Sequence, residues 1–235
     1  MQTFSESFST AFQLIFSLDS DLLEILSLSI RVSLTSLVLS CLIGLPLGAI
    51  LAIKSFIFRK TLVVIVNALM GLPPVVVGLI VYLNLSRSGP FGWLGLLYSP
   101  TAMIIAQMIL VTPIIIGLSC QIIEDVRKDY RDLFESLGVS DLKAITTYLF
   151  DARHSLLTAI LVGFGRAISE VGAIIIVGGN IDHLTRVMTT AITLETSKGN
   201  LSLALALGLI LLSISLFVNF VAIWVKNAAK KHAYV

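Results

Sequence analysis

Two ionisable side chains stand four residues apart in an otherwise apolar run, Arg166 and Glu170 within Gly165-Arg166-Ala167-Ile168-Ser169-Glu170-Val171-Gly172-Ala173. At helical periodicity that spacing puts both on one face. A charge at mid-bilayer costs about 3 kcal/mol on insertion scales, so the site must compensate it. Either the two pair with each other, or Arg166 is left to meet an anion while Glu170 holds it in place. Upstream, Gly71-Leu72-Pro73-Pro74 removes two successive backbone donors and obstructs the preceding turn, so no regular helix passes through it. Irregular backbone at membrane depth is tolerated where protein buries it or water reaches it. Broken helices at that depth point to a translocation path; a packing kink is the alternative, and Asn67 and Asn84 in the same stretch favour the path. Thr185, Thr189, Thr193 and Thr196 form a hydroxyl stripe at helical spacing. Such a stripe is either a solvated face or a lining that donates hydrogen bonds without fixing a charge, suited to an anion that must pass and leave. Gly71, Pro73, Pro74, Arg166, Glu170, Thr185, Thr189 and Thr193 are therefore the candidate path or gate residues.

Other chemistries are poorly supplied. A membrane-embedded enzyme needs a nucleophile or metal set assembled at depth. His154, beside Arg153, falls at a membrane edge, His183 falls outside, and no spacing suits a metal. Cys41 and Cys120 lie in apolar helical stretches, where a lone cysteine acts as a small buried side chain. No catalytic residue, metal or bound cofactor is expected. The chain has no Gly-x-x-x-x-Gly-Lys-Ser/Thr nucleotide loop, so any energy for transport comes from another polypeptide. A secondary transporter acting alone is the rival of a different class, but such proteins usually carry more helices and inverted repeats than are visible here.

These residues must be positioned by membrane helices. The 235 residues are 57% hydrophobic and 13% charged, against about 25% charged in soluble domains, and mean hydropathy is +0.99. The net charge of +2 is too small to suggest nucleic acid. A span needs roughly 20 apolar residues, and five stretches qualify, at about 22–53, 61–85, 100–121, 155–179 and 201–225. Lys54, Arg59 and Lys60, then Arg127, Lys128, Arg131, Lys143 and Arg153, then Lys226, Lys230 and Lys231 hold eleven of the sixteen basic residues. With five spans these regions share one side, which the positive-inside rule makes cytoplasmic. The N-terminus is then outside and the C-terminus cytoplasmic.

Residues 1–20 show no cleavable signal; Phe4, Phe8, Ala11, Phe12, Ile15 and Phe16 at helical spacing predict an amphipathic helix lying in the interface. The first span carries Ser36, Ser40, Gly44 and Gly48 every four positions, a shallow groove for close helix packing, with Pro46 as a kink and Arg31 snorkelling or paired with Glu24. Ser86 to Tyr98 reads as an outer loop at headgroup level, and Ser99-Pro100 as a helix start. Asp182 to Gly199 predicts a short external helix capped by Asp182. The fifth span, about 201–225, is apolar apart from Ser213, Ser215 and Asn219. With no internal repeat, residues 1–235 read as one membrane domain.

The long polar interval, about 122–154, is the main exception to this apolar pattern. Val126, Tyr130, Leu133, Phe134 and Leu137 recur at helical spacing opposite charges; Gly138 interrupts; Ser140 can cap a new start; Leu142, Ile145, Tyr148 and Leu149 resume. This predicts two short amphipathic helices meeting at a glycine elbow, a knuckle on which a soluble partner can dock.

The interval resembles the coupling-loop signature of ABC-importer permeases, in which an acidic residue and two small residues precede Leu-Gly, followed by Ala-Ser and later a Pro. Asp132 stands for the acid, Leu137-Gly138 matches and Val139-Ser140 follows; Leu133 and Phe134 replace the small pair, and Asp151 stands where proline is usual. Gly71-Leu72-Pro73-Pro74-Val75-Val76-Val77-Gly78, the Gly165–Ala173 segment and Gly178-Gly179-Asn180-Ile181 look like the oxyanion branch, the molybdate, tungstate and sulfate permeases. With the external helix the pattern is most similar to the tungstate permeases. The resemblance covers roughly residues 22–225. It implies an all-α, type I importer fold with five transmembrane helices and a cytoplasmic coupling helix. It also implies ATPase coupling through Asp132, Glu135, Ser136, Leu137, Gly138, Val139 and Ser140. The implied assembly in the cytoplasmic membrane is a permease homodimer, two ATPase subunits that bind ATP and Mg, and an external binding protein for tungstate, with molybdate or sulfate as alternatives.

Overall fold

The computed structural model describes residues 8–10, 12, 13, 16, 17, 20–138 and 141–232, and among them it contains helices and turns but no strand. The helices in chain order are α1 (Ser20–Ile53), α2 (Arg59–Met70), α3 (Pro74–Leu85), α4 (Pro100–Leu137), α5 (Asp141–Asp151), α6 (Arg153–Ile168), α7 (Gly172–Gly178), α8 (Met188–Lys198) and α9 (Leu201–His232), with a 3-10 turn at Gly92–Leu94. α1, α4 and α9 are each long and apolar enough to cross a membrane, and up to five spans result if the broken pairs α2/α3 and α6/α7 each count as one. The expected interfacial helix over residues 1–20 lies largely outside the described residues; within it Phe12 and Phe16 are exposed.

Three predicted elements differ in form. The first amphipathic helix of the polar interval is not separate: α4 continues from Pro100 through Leu137, 38 residues without interruption, because nothing between Gln121 and Leu137 breaks a helix. The expected span at 155–179 is interrupted at Ser169–Val171, so Arg166 and Glu170 do not sit four apart on one continuous helix. The external helix begins at Met188, after an extended Val187 whose N–H donates to Thr190 Oγ1 at 3.2 Å. Asp182 is not its cap; it binds Arg186 at 2.6 Å. Ser99 does start α4, its Oγ accepting the Ala102 N–H at 3.4 Å ahead of Pro100.

The chain packs as two compact units. The first comprises 1–36, 73–107 and 167–217. At its centre Gln107, 1% exposed, accepts from Ser36 Oγ at 2.7 Å and donates to the Ala167 carbonyl at 2.9 Å. Buried amides of this kind bind helices together where lipid provides no hydrophobic drive. α3 and α7 lie so close that a Cβ on Gly78 would stand 2.8 Å from Ala173 Cα. The Met188 N–H reaches Ser29 Oγ at 2.8 Å. Glu24 binds His183 at 2.8 Å, not Arg31, which is exposed.

The second unit comprises 37–72, 108–166 and 218–235. Here the small-residue groove on α1 receives α4: a Cβ on Gly48 would stand 2.8 Å from the Ile116 carbonyl oxygen. Ser40 accepts from Thr112 Oγ1 at 3.2 Å in the same groove. Below it Ala49, Ala52 and Ile53 of α1 and Cys120 and Ile123 of α4 enclose Ala144 and Tyr148 of α5 and Ala152 just after it.

Candidate functional site

The corner where the sequence places a docking knuckle involves the end of α4, Gly138 and α5. Gly138 has φ +60°, a left-handed conformation that glycine adopts without strain. The corner is locked from inside by aromatic rings. Tyr130 stacks on Phe134 at 5.5 Å, and both face Tyr148 of α5, at 6.4 and 5.4 Å. Tyr148 and Ala152 are buried, which anchors α5 to the unit's core. The Tyr130 hydroxyl bonds Asp151, the residue standing where the resemblance leads one to expect proline. Outward, the corner presents Leu133, Leu137 and Phe150, at 51%, 64% and 64% exposure, beside exposed Asp132. Three large apolar groups and a carboxylate on one rigid elbow suit a protein partner better than water. Ser136 folds back on the Leu133 carbonyl at 2.7 Å. Glu135 lies in α4; Val139 and Ser140 lie outside the described residues.

The Gly71-Leu72-Pro73-Pro74 break has a plain local cause. The Gly71 and Leu72 N–H groups close tight turns onto the Ala68 and Leu69 carbonyls. Pro73 is extended, with φ −64° and ψ 122°, and Pro74 opens α3 at the first helical position, where its missing N–H is not needed. The second break is made by hydrogen bonds rather than by proline. The Glu170 carbonyl accepts from Thr189 Oγ1 at 2.8 Å, and the Glu170 carboxylate accepts the Ala173 N–H at 3.2 Å. In the first unit the two breaks meet: a Cβ on Gly172 would stand 2.9 Å from Val75 Cγ2, and Pro74 is adjacent. The structure thus brings Pro74, Glu170, Gly172 and Thr189 together; Arg166, at the end of α6, belongs to the other unit.

The threonine stripe is divided: Thr185 and Thr189 are buried, whereas Thr193 and Thr196 are exposed. Thr185 is fully buried; its Oγ1 donates to the Gly178 carbonyl at 2.6 Å and accepts the Ile181 N–H at 2.9 Å. Thr189 is spent on Glu170, and Thr193 on the Thr189 carbonyl at 3.0 Å. The small cavity beside Ser29, Gln107 and buried Thr189, about 10 Å³, holds a water at most.

Two larger cavities lie in the second unit, on residues that, Asn67 apart, the sequence does not single out for this role. One, about 290 Å³, is lined by Asn67, Gly117, Cys120, Gln121 and Glu124 among apolar groups. The other, about 390 Å³, is lined by Arg59, Arg127, Lys128 and Glu124 with Ala52 and Ser55. Arg59 and Glu124 form an ion pair across a separation of 65 residues. The available signal was Glu124 itself, a carboxylate at the end of an apolar run.

A family model described as "Binding-protein-dependent transport system inner membrane component" matches residues 44–231. The chain belongs to that family. It is a permease component of the inner membrane, and the family works in complexes that also contain an ATPase and a substrate-binding protein. ATP hydrolysis is the work of the separate ATPase; the permease is not an enzyme. The chain is 39% identical over 221 residues to the tungstate uptake system permease protein TupB of Peptoclostridium acidaminophilum, covering 94% of this chain and 97% of that one. To the protein of the same name from Campylobacter jejuni it is 38% identical, covering 92% and 90%. A probable anion ABC transporter permease of Haloferax volcanii is 41% identical over 84% of this chain and 88% of its own.

Proposed function

We propose that this permease forms the conduit of an ATP-binding-cassette importer that takes up tungstate. The rigid elbow at Gly138, closed inside by Tyr130, Phe134 and Tyr148 and apolar outside, is the observation that carries the coupling role. Tungstate is supported by the relatives: those named for it are 38–39% identical, whereas a sulfate permease of Chlamydomonas reinhardtii is 23% identical. In this reading two copies of the chain pair in the membrane, two ATPase subunits holding ATP and Mg bind the elbows from the cytoplasm, and an external binding protein delivers the anion. The N-terminus is outside and the C-terminus cytoplasmic, as the distribution of lysine and arginine supports. Nucleotide-driven closure of the ATPases moves α5 as a lever, and Asp132, Glu135, Ser136, Leu137, Gly138, Val139 and Ser140 carry the contact. The helix breaks at Gly71, Pro73 and Pro74 and at Glu170 are where the path changes shape, with Arg166 close by in sequence. Thr185, Thr189 and Thr193 serve that path by fixing the backbone around Glu170, not by touching the anion.

The test is tungstate uptake by vesicles containing the permease, its ATPase and the loaded binding protein. Asp132→Lys, Glu135→Lys and Gly138→Pro each cut uptake by about a hundredfold and uncouple ATP hydrolysis from the binding protein. Full uptake by all three discards the coupling role.

A further inference from the structure

The turn between α1 and α2, residues 54–60, reads Lys-Ser-Phe-Ile-Phe-Arg-Lys. It sets three bulky apolar side chains between cations, and it does so in the open. Phe56 is exposed, Ile57 is 93% exposed and Phe58 69%, with Lys54 and Lys60 exposed at either end. Hydrogen bonds hold this display in place. The Lys54 N–H donates to the Ile50 carbonyl at 2.9 Å and the Arg59 N–H to the Phe56 carbonyl at 3.0 Å. The Arg59 side chain ties the turn to α1 through Nε on the Leu51 carbonyl at 2.7 Å, and to α4 through its ion pair with Glu124. Ile53, just before the turn, belongs to the same buried cluster as Tyr148 of α5, so the turn lies on the elbow side of the membrane.

The charge around the turn is one-sided. Residues 25–123 contain no Asp or Glu. Glu124 is taken by Arg59 and Asp125 by Lys128, whereas Lys54 and Lys60 have no ion pair among the described residues. No residue of α2 is buried, and its first turn holds neither a side-chain cap nor an acid, so protein packing leaves this end of the helix uncovered. Large apolar side chains are unfavourable in water, and lysines are unfavourable in hydrocarbon. The headgroup layer of a bilayer accepts both, apolar groups below and ammonium groups level with the phosphates. Continuity with the spans favours lipid over a protein partner: α1 is apolar enough to cross the membrane as far as Ile53, and α2 starts the next candidate span at Arg59.

We propose that this turn is a docking site for acidic phospholipid: Phe56, Ile57 and Phe58 enter the leaflet on the elbow side, and Lys54 and Lys60 meet lipid phosphate. Two unpaired lysines distinguish anionic from zwitterionic headgroups, because the surface potential of an anionic leaflet holds each of them, and salt screens that preference. The seat fixes the end of α2, the helix that leads into the Gly71-Leu72-Pro73-Pro74 break and of which the protein itself buries no residue. The inference is independent of the anion carried, and it rests on the reading above only in calling the elbow side cytoplasmic.

The experiment uses the complete transporter in vesicles, with recovery of the assembled complex as the folding control. Trp93→Phe and Trp224→Phe remove both native indoles, and Ile57→Trp places one reporter where exposure leaves no packing to disturb. Its fluorescence is measured in vesicles of equal parts phosphatidylcholine and phosphatidylglycerol, with brominated chains on one lipid or on the other. Both leaflets carry the same mixture, so the readout does not depend on which side the turn faces. Brominated phosphatidylglycerol quenches the reporter about twofold more than brominated phosphatidylcholine. Lys54→Gln combined with Lys60→Gln brings the two to equality. Added sodium chloride weakens the preference, and inorganic phosphate of equal ionic strength weakens it no further. Equal quenching by the two lipids with both lysines present, or a preference that survives their replacement, overturns the proposal. A preference abolished by phosphate but not by chloride assigns the lysines to free phosphate, and an emission that responds to the ATPase but not to brominated lipid assigns the turn to that protein. Either result overturns lipid docking.

Discussion

His183 sits at φ +56° in the loop before α8, held by Glu24 at 2.8 Å. The hydrogen bond to Glu24, then the charges of Glu24, Asp182 and Asp21, raise the imidazole pKa above the usual 6.5. Arg186 of the same loop faces the cluster but is bound to Asp182. Because the folded value lies above the unfolded one, the contact contributes stability that is fully present below the unfolded pKa. That contribution is lost as pH rises through the raised folded value. Wild type therefore melts at a higher temperature than His183→Gln at about pH 5.5, and the gap narrows as pH rises through the raised folded value. Melting in detergent across that range checks the sign; a gap that widens with pH contradicts it. Thr185 and Thr189 make the same point about single residues. Their spacing suggests a lining, but each hydroxyl is committed to backbone around Gly178 and Glu170. Periodicity reports which residues share a face, not whether that face is already occupied.

Gln107 ties three helices in the first unit, bonding Ser36 of α1 and the α6 backbone at Ala167 from α4. Gln107→Leu leaves the Ala167 carbonyl without this donor, while Ser36 keeps its bond to the Ser33 carbonyl at 2.9 Å. A loss of about 1 kcal/mol follows from measured interhelical hydrogen bonds in membranes, seen as a lower melting temperature with the complex still assembled. No change in melting means that the bond is not a tie. How far these elements were legible depended on what makes each boundary. The Pro73-Pro74 break, the Ser99-Pro100 start and the Gly138 elbow are local chemistry, so the sequence displays them. The groove through Gly44 and Gly48 is legible because close approach needs small residues at that spacing. The break at Ser169–Val171 is not, because it is held by Thr189, nineteen residues away, reaching the Glu170 carbonyl. The run of α4 through Leu137 was missed for a related reason: a change from apolar to charged residues marks the edge of the lipid, not the end of a helix. Arg59 and Glu124 escaped notice as a pair because their contact spans 65 residues.

As a whole molecule, the chain in the proposed reading supplies a conduit and a socket while a separate ATPase supplies the energy. It has no nucleotide loop, and its family works beside an ATPase and a binding protein. Its apolar surface matches that division of labour. Phe217, Phe220 and Trp224 on α9, at 65–68% exposure, face outward as lipid or a second membrane subunit requires, while Leu133, Leu137 and Phe150 form the separate patch at the elbow. The most direct measurement of the central claim is tungstate accumulation in vesicles containing the purified permease alone, with the ATPase, and with both the ATPase and the external binding protein. Uptake is predicted in the complete system with ATP and at no other composition. Accumulation by the permease alone, driven by an ion gradient and indifferent to ATP, contradicts it.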